Sequence, residues 1–288
     1  SYATTKNAKA VKTANALYAE VGENEAILIK VYDKQCVSYD LSNVEGSGRE
    51  AIYFLGDNAF ENSALEHINF PNKLEYIGTS AFNKCVSLKE VNLNKVKRLG
   101  NYCFINSGLE VINAPCITDI SATECFGYVG SFKVGSFGSK EHPVTNIHRY
   151  NTFRNTVGTI ALTTANGLLT DITKDFEDGN VTWNYYITKE NTTSVKTENE
   201  CYIEINDDAN DKVLLSKVFN NVEEYDLSNV AGTGKMAFIL GRECFKSTSL
   251  SNVDVPVGCT QIRSACFRTC SKLKTINLPQ GLEYIGGG

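Results

Sequence analysis

The chain has 288 residues, 42% of them hydrophobic and 21% charged, the composition of a globular protein able to bury a core. A formal charge of −5 offers no basic face of the kind nucleic acid requires. No apolar run approaches the roughly eighteen residues of a membrane-spanning helix.

The first twenty residues carry no apolar segment of the signal-peptide type, so a targeting signal for a secreted protein would lie outside this sequence. Thr4 to Val21 reads as a helix, with Val11, Ala14, Leu17, Tyr18 and Val21 on one face. The alternatives for residues 1–26 are therefore a helical cap and a leader. Beyond them the chain is periodic. Phe60, Phe82, Phe104 and Phe126 recur every 22 residues, and Phe245 and Phe267 keep that interval. A small residue precedes each: Ala59, Ala81, Cys103, Cys125, Cys244 and Cys266. An apolar pattern follows, as in Leu65, Ile68, Phe70 and Leu88, Val91, Leu93, and later Leu250, Val253, Val255. A second apolar pair closes each turn, such as Leu74 and Ile77.

The last two apolar positions of the pattern alternate inward with period two, which predicts a short strand. A unit of 22 residues cannot bury its own apolar side, so successive turns must stack and equivalent residues must form ladders. Weaker matches at Val129, Phe132, Val134 and at Val157, Ile160, Leu162, with Phe153 in the turn position, extend this first block over 27–162. Residues 163–221 read as an irregular connection. Within it Val181 to Ile187 is strand-like without an evident partner, and Asn191 to Glu200 is polar enough for a loop. Tyr39-Asp-Leu-Ser-Asn-Val44 returns as Tyr225-Asp-Leu-Ser-Asn-Val230 and announces a second block over 222–288. Adding 22 to Phe267 gives position 289, so this block ends in mid-repeat.

The stretches Leu74-Glu-Tyr-Ile-Gly-Thr-Ser-Ala-Phe-Asn-Lys-Cys-Val-Ser-Leu-Lys-Glu-Val-Asn-Leu93 and Cys270 to Gly286 resemble the BspA-like leucine-rich repeats. The resemblance implies an α/β solenoid, with short parallel strands on a concave face and turns or 3-10 segments on the convex one. It also implies a surface or secreted protein of host-associated bacteria, or of some mucosal protozoa, that binds proteins or cells; the ligand expected here is a protein or glycan. It brings no catalytic residue and no cofactor.

Other motifs have blander explanations. Cys259, Cys266 and Cys270 look like metal ligands, but Ala81 stands at the position of Cys266 in the first block, so their spacing belongs to the repeat. Gly232-Thr-Gly-Lys235 is the duplicate of Gly46-Ser-Gly-Arg49 and lacks the remainder of a phosphate-binding loop. His67 sits at an outward strand position and His142 and His148 in an irregular loop, the places of surface histidines, with nothing to support catalysis. The expectation is therefore no enzyme, no metal and no cofactor. Many of the ten cysteines fall on ladder positions, where burial as free thiols is expected. Cys103 with Cys125, and Cys244 with Cys266, should stack closely enough that a bond is geometrically open.

Outward strand positions carry His67, Asn69, Glu90, Asn92 and Asn113, then Asn252, Asp254, Thr275 and Asn277. Two readings stand: a hydrogen-bonding face for a ligand, and a structural row in which stacked amides bond to one another. At the level of the whole chain, an adhesion or protein-binding module competes with a passive spacer that displays another domain.

Overall fold

The computed structural model describes residues 8–147, 152–154, 156, 158–164, 183–188, 192–205 and 212–288. Among these residues there are strands and two single-turn 3-10 segments, Val44–Gly46 and Val230–Gly232, and no α-helix. The solenoid is a stack of parallel strands, and the α component of the expected α/β class is absent from the described residues.

Each turn contributes one strand to each of two sheets. The flanking sheet of the first unit runs β1 (Lys9–Lys12), β2 (Ala16–Glu20), β3 (Glu25–Val31), β5 (Glu50–Leu55), β7 (Tyr76–Ile77), β9 (Arg98–Leu99), β11 (Asp119–Ile120) and β13 (Asn146–Ile147). The leucine-strand face, expected to be concave, opens with a two-stranded sheet of β4 (Ser38–Asp40) and β6 (His67–Asn69). The next leucine strands, β8 (Glu90–Asn92), β10 (Val111–Ala114), β12 (Val134–Phe137), β14 (Gly158–Thr163) and β15 (Trp183–Thr188), form a five-stranded sheet of their own. The second unit repeats the plan. Its flanking sheet is β16 (Thr192–Lys196), β17 (Glu200–Ile205), β18 (Lys212–Val218), β19 (Met236–Leu240), β21 (Gln261–Ile262) and β23 (Tyr284–Ile285). Its leucine strands are β20 (Asn252–Asp254) and β22 (Thr275–Asn277).

The phenylalanine ladder forms as the spacing predicts. Phe60, Phe82, Phe104, Phe126 and Phe153 stack almost parallel, with centroids 5.1–5.6 Å apart. Two left-handed residues per turn position each ring, for example Ser80 (φ 54°) and Lys84 (φ 59°) around Phe82. This alternation aims the N–H groups of Ser80, Phe82 and Lys84 at the carbonyls of Asn101, Cys103 and Ile105 in the next turn, at 2.9, 2.8 and 3.0 Å. Stacking therefore satisfies backbone groups that the turn itself leaves unpaired. The glycine after each Tyr-Ile or Arg-Leu pair is there for close approach. A Cβ on Gly100 would lie 2.4 Å from the backbone nitrogen of Thr79.

Phe267 departs from expectation. It stacks on Phe245 at 5.6 Å but is only half-buried, because no further turn covers its outer side. Leu278 and Ile285 are exposed and Leu282 half-buried, as expected for an uncovered layer.

Three further expectations are corrected. Residues 1–7 lie outside the described residues, but Lys9 to Glu20 forms strands β1 and β2, not a helical cap. The Thr13 hydroxyl accepts the N–H groups of Asn15 and Ala16 at 3.1 and 2.9 Å, a local turn that prevents helical bonding there. Ala16 and Tyr18 then point into the core with period two. A β-hairpin extension caps the solenoid instead, since β1, β2 and β3 are antiparallel and β3 pairs in parallel with β5.

The connection at 163–221 is likewise largely strand where it is described. β15 finds its partner in β14, and the polar stretch from Asn191 contains β16. Strands β16, β17 and β18 form a second antiparallel cap that continues in parallel into β19. Residues 165–182 lie outside the described residues.

The register at β12 also differs from the expected one. Gly135 pairs with Ile112 and Phe137 with Ala114, so Phe137 faces the core and Val134 faces outward.

Candidate binding surface

The leucine-strand sheet presents two columns of outward side chains. In β10, β12 and β14 the register aligns Val111, Val134 and Thr159 in one column and Asn113, Ser136 and Ala161 in the other. Toward the start of the sheet the corresponding positions hold Ser38 and His67, Asp40 and Asn69. Glu90 pairs with Val111, and Asn92 with Asn113. The face thus passes from polar and charged at β4–β8 to a mixture of apolar and small uncharged side chains at β10–β14.

That change in composition tracks a change in what covers the sheet. The second unit's flanking sheet lies on β10–β14, where Val111, Val134 and Ala161 pack with Cys201, Ile203, Leu214 and Ile239 in one buried cluster. Hydroxyl groups inside the contact are paired. The Ser194 N–H and hydroxyl reach the Ser136 hydroxyl at 3.1 and 3.0 Å, and the Ser216 hydroxyl donates to Thr159 at 2.7 Å. Ser136 in turn donates to the Asn113 side-chain carbonyl at 2.8 Å. At the rim Glu110 accepts from Lys133 and Lys196 at 2.7 and 2.8 Å. The Lys133 ammonium also lies 4.8 Å from the Phe219 ring centroid, a cation–π contact.

Electrostatics follow this packing. Burial pushes the Glu110 carboxyl upward, but the two lysine hydrogen bonds outweigh it and hold the group below its ordinary value. Burial pushes the Cys201 thiol up to about 12. The ten cysteines are free thiols, eight of them buried, including the stacked Cys103 and Cys125. No group of three or more His, Cys, Asp or Glu side chains suited to a metal gathers among the described residues. In the same set no helix is long and apolar enough to cross a membrane.

A family model described as the BspA type leucine rich repeat region matches residues 49–176 and 202–288, in six copies. The chain belongs to the BspA-type leucine-rich-repeat family. Similar solved structures include the pneumococcal vaccine antigen PcpA, with 16% identity over 98% of this chain and 78% of that one, and a TM-score of 0.35. A leucine rich cell surface protein from Faecalibacterium prausnitzii A2-165 has 15% identity over 97% of this chain and 95% of its own, with a TM-score of 0.33. A leucine-rich repeat protein from Bacteroides ovatus ATCC 8483 has 17% identity over 87% and 57%, with a TM-score of 0.31. No curated protein matches the sequence.

Within this BspA-type scaffold the nine candidate residues fall into three groups. His67, Asn69 and Asn92 are exposed on the open part of the first unit's sheet. Asn252, Asp254, Thr275 and Asn277 are exposed on the second unit's two-stranded sheet, beside a depression lined by Glu224, Asp226, Asn252 and Asp254. Glu90 and Asn113 are not free in the same way. Glu90 stands 3.8 Å from Lys196 at the rim of the contact, and Asn113 is half-buried with its carbonyl engaged by Ser136. The structural-row reading holds at two places: Asn69 donates to Asp40 at 2.8 Å and Asn277 to Asp254 at 2.5 Å. A serine hydroxyl two residues on holds Asp40 below its ordinary value, and Asp226 likewise.

The glycine loops are structural duplicates. The Asn43 and Asn229 side-chain carbonyls accept the N–H groups of Gly48 and Gly234, each at 2.7 Å. Sequence reasoning missed Ser136, Thr159, Ser194 and Ser216, which tie the two units together. The available signal was Lys12-Thr-Ala-Asn-Ala-Leu-Tyr-Ala-Glu20, which returns as Lys196-Thr-Glu-Asn-Glu-Cys-Tyr-Ile-Glu204 and marks a second cap. Thr197 repeats the turn of Thr13 by accepting the N–H groups of Asn199 and Glu200 at 3.2 and 3.1 Å.

Proposed function

We propose that this protein is a non-catalytic binding or adhesion module acting at a cell surface or after secretion. It engages a protein or glycan through the open polar parts of its leucine-strand sheets. The observation that carries the reading is the contact within the chain itself. One stretch of this sheet face already holds a folded protein surface, through an apolar centre, paired hydroxyls and a charged rim. The open stretches at His67, Asn69 and Asn92, and at Asn252, Asp254, Thr275 and Asn277, offer a rigid backbone with a more polar set of side chains. Such a face suits hydrogen-bonded recognition. Membership of the BspA-type family supports an interaction role outside the cell.

The test is a screen of the purified protein against host matrix proteins and glycans. Each hit is repeated with His67→Ala plus Asn92→Ala, and separately with Asn252→Ala plus Thr275→Ala. Loss of binding in either pair supports the reading, and binding untouched by both pairs places the site elsewhere. A screen without a single hit favours a passive spacer.

A further inference from the structure

The second unit docks through the outer face of its antiparallel cap, and the first unit carries the same cap. Sequence and pairing align the two strand by strand. Ala10 corresponds to Ser194, Lys12 to Lys196, Leu17 to Cys201, Ala19 to Ile203, Ile27 to Leu214 and Ile29 to Ser216. In the second unit these positions are covered: Cys201, Ile203 and Leu214 lie in the cluster with Val111, Val134 and Ala161, and Ser194 and Ser216 are buried and bonded. In the first unit Ile27 is buried, but Ala10 is exposed and Leu17, Ala19 and Ile29 are half-exposed. These four side chains are absent from the first unit's own core and from the residues packed against it. Tyr32 follows β3 as Phe219 follows β18, and it is more than one-third exposed, with the Lys12 ammonium 5.9 Å from its ring.

We propose that the outer face of β1–β3 is a docking surface for the leucine-strand sheet of a second polypeptide of the same repeat class. The argument rests on an interface already present. The same strand arrangement, with a lysine at the same edge position and an aromatic ring at the same end, is seated on such a sheet within this chain. The chemistry of the partner follows from the differences. Ser216 meets a threonine, whereas Ile29 requires an apolar side chain at that place. Ser194 meets a serine, whereas Ala10 requires none. Lys12 calls for a carboxylate where Glu110 receives Lys196. The partner sheet is therefore more apolar than β10–β14 and keeps the acidic rim. This face is distinct from the open polar stretches assigned to ligand binding, and either assignment can fail without the other.

The experiment uses the full chain and takes its own β10–β14 face as the probe. Leu214→Asp opens the contact between the units, which the Cys201 thiol reports by becoming reactive. Ala19→Arg blocks the face of β1–β3 without entering the core. Sedimentation of wild-type protein mixed with a Leu214→Asp, Ala19→Arg variant whose sheet is made more apolar by Ser136→Ala and Thr159→Val, the partner chemistry expected above, should show a 1:1 complex. Replacing the wild-type component with the Ala19→Arg single variant should abolish it. No complex, or a complex indifferent to Ala19→Arg, overturns the proposal. Should Leu214→Asp fail to fold, a closed chain carrying Leu214→Ile, Ser216→Ile and Thr159→Val decides instead. It gives β18 the outer residues of β3 and the sheet the apolar partner expected for them. Cys201 remaining as protected as in the wild type supports the proposal, and an exposed Cys201 overturns it.

Discussion

The two units are built from the same parts, yet one cap is covered and the other is open. Antiparallel strands lead into a parallel stack in both, through turns set by Thr13 and Thr197. On β17 and β18 the outer residues Cys201, Ile203 and Leu214 are buried against the neighbouring unit, whereas Leu17, Ala19 and Ile29 on β2 and β3 stay partly accessible. The far ends differ as well. Phe82 is enclosed by rings on both sides, while Phe267 has a ring on one side only. A solenoid residue takes its energetic weight from whether a neighbour lies beyond it, more than from its identity. Equivalent positions can therefore differ by several kcal/mol.

The sharpest way to break this comparison is to truncate equivalent rings. Phe82→Ala should cost about 3–5 kcal/mol in denaturant unfolding, the usual range for an enclosed core ring. Phe267→Ala should cost less than about 2 kcal/mol, because that ring is only partly buried and stacks on one side alone. Equal losses would show that position in the stack does not matter.

The caps provide the next test. Ile203→Arg places a charge in the contact between units and should cost about 3 kcal/mol, with Cys201 becoming accessible to a thiol reagent. The equivalent Ala19→Arg should change stability by no more than about 0.5 kcal/mol, the usual effect at a surface position. A large loss at Ala19 in an isolated monomer would mean that another part of the chain covers the first cap.

Acid should separate the two caps more gently. The Glu110 carboxyl lies below its reference value of 4.5 because Lys133 and Lys196 outweigh the opposing effect of burial. Its contribution is therefore complete above about pH 4.5 and is lost as pH falls through the lower folded value. Thermal melts at descending pH should show the wild type losing stability in that window. Glu110→Gln, less stable at neutral pH, should follow a flatter profile. Parallel profiles for the two proteins would remove Glu110 from the account.

Much of the solenoid was legible because its signals repeat at a fixed interval. The ladder of Phe60, Phe82, Phe104 and Phe126, the Ala-Phe turn and the short strands all follow from spacing alone. The caps were obscured for a physical reason. In Lys9 to Glu20 the apolar residues fit a helical stripe as well as alternating strands, and only the Thr13 turn decides between them. The contact between units was obscured because its residues are small or polar. Ser136, Thr159 and Ser194 look solvent-facing until a second sheet is laid over them. Outward positions on the leucine strands follow from period two, but which of them remain open depends on a packing event 58 residues away in sequence, as between Ser136 and Ser194.

The smallest expected effect concerns the exposed amides, and it separates structure from binding. Asn69 and Asn277 each donate to an aspartate in the adjacent turn, Asp40 and Asp254. All four side chains are exposed, so water replaces the bond when an amide is removed. Asn69→Ala and Asn277→Ala should each cost about 0.5 kcal/mol or less, the lower end for a hydrogen bond in water. The enclosed counterpart is the Ser136 hydroxyl, which donates to Asn113 and accepts from Ser194 inside the contact between units. Ser136→Ala leaves buried groups without a partner and should cost about 1–3 kcal/mol. If the exposed amides proved as costly as Ser136, the column would be a structural ladder in both units. If they prove nearly neutral for folding yet remove a ligand found in the binding screen, the open column is a recognition surface and the covered one its structural counterpart.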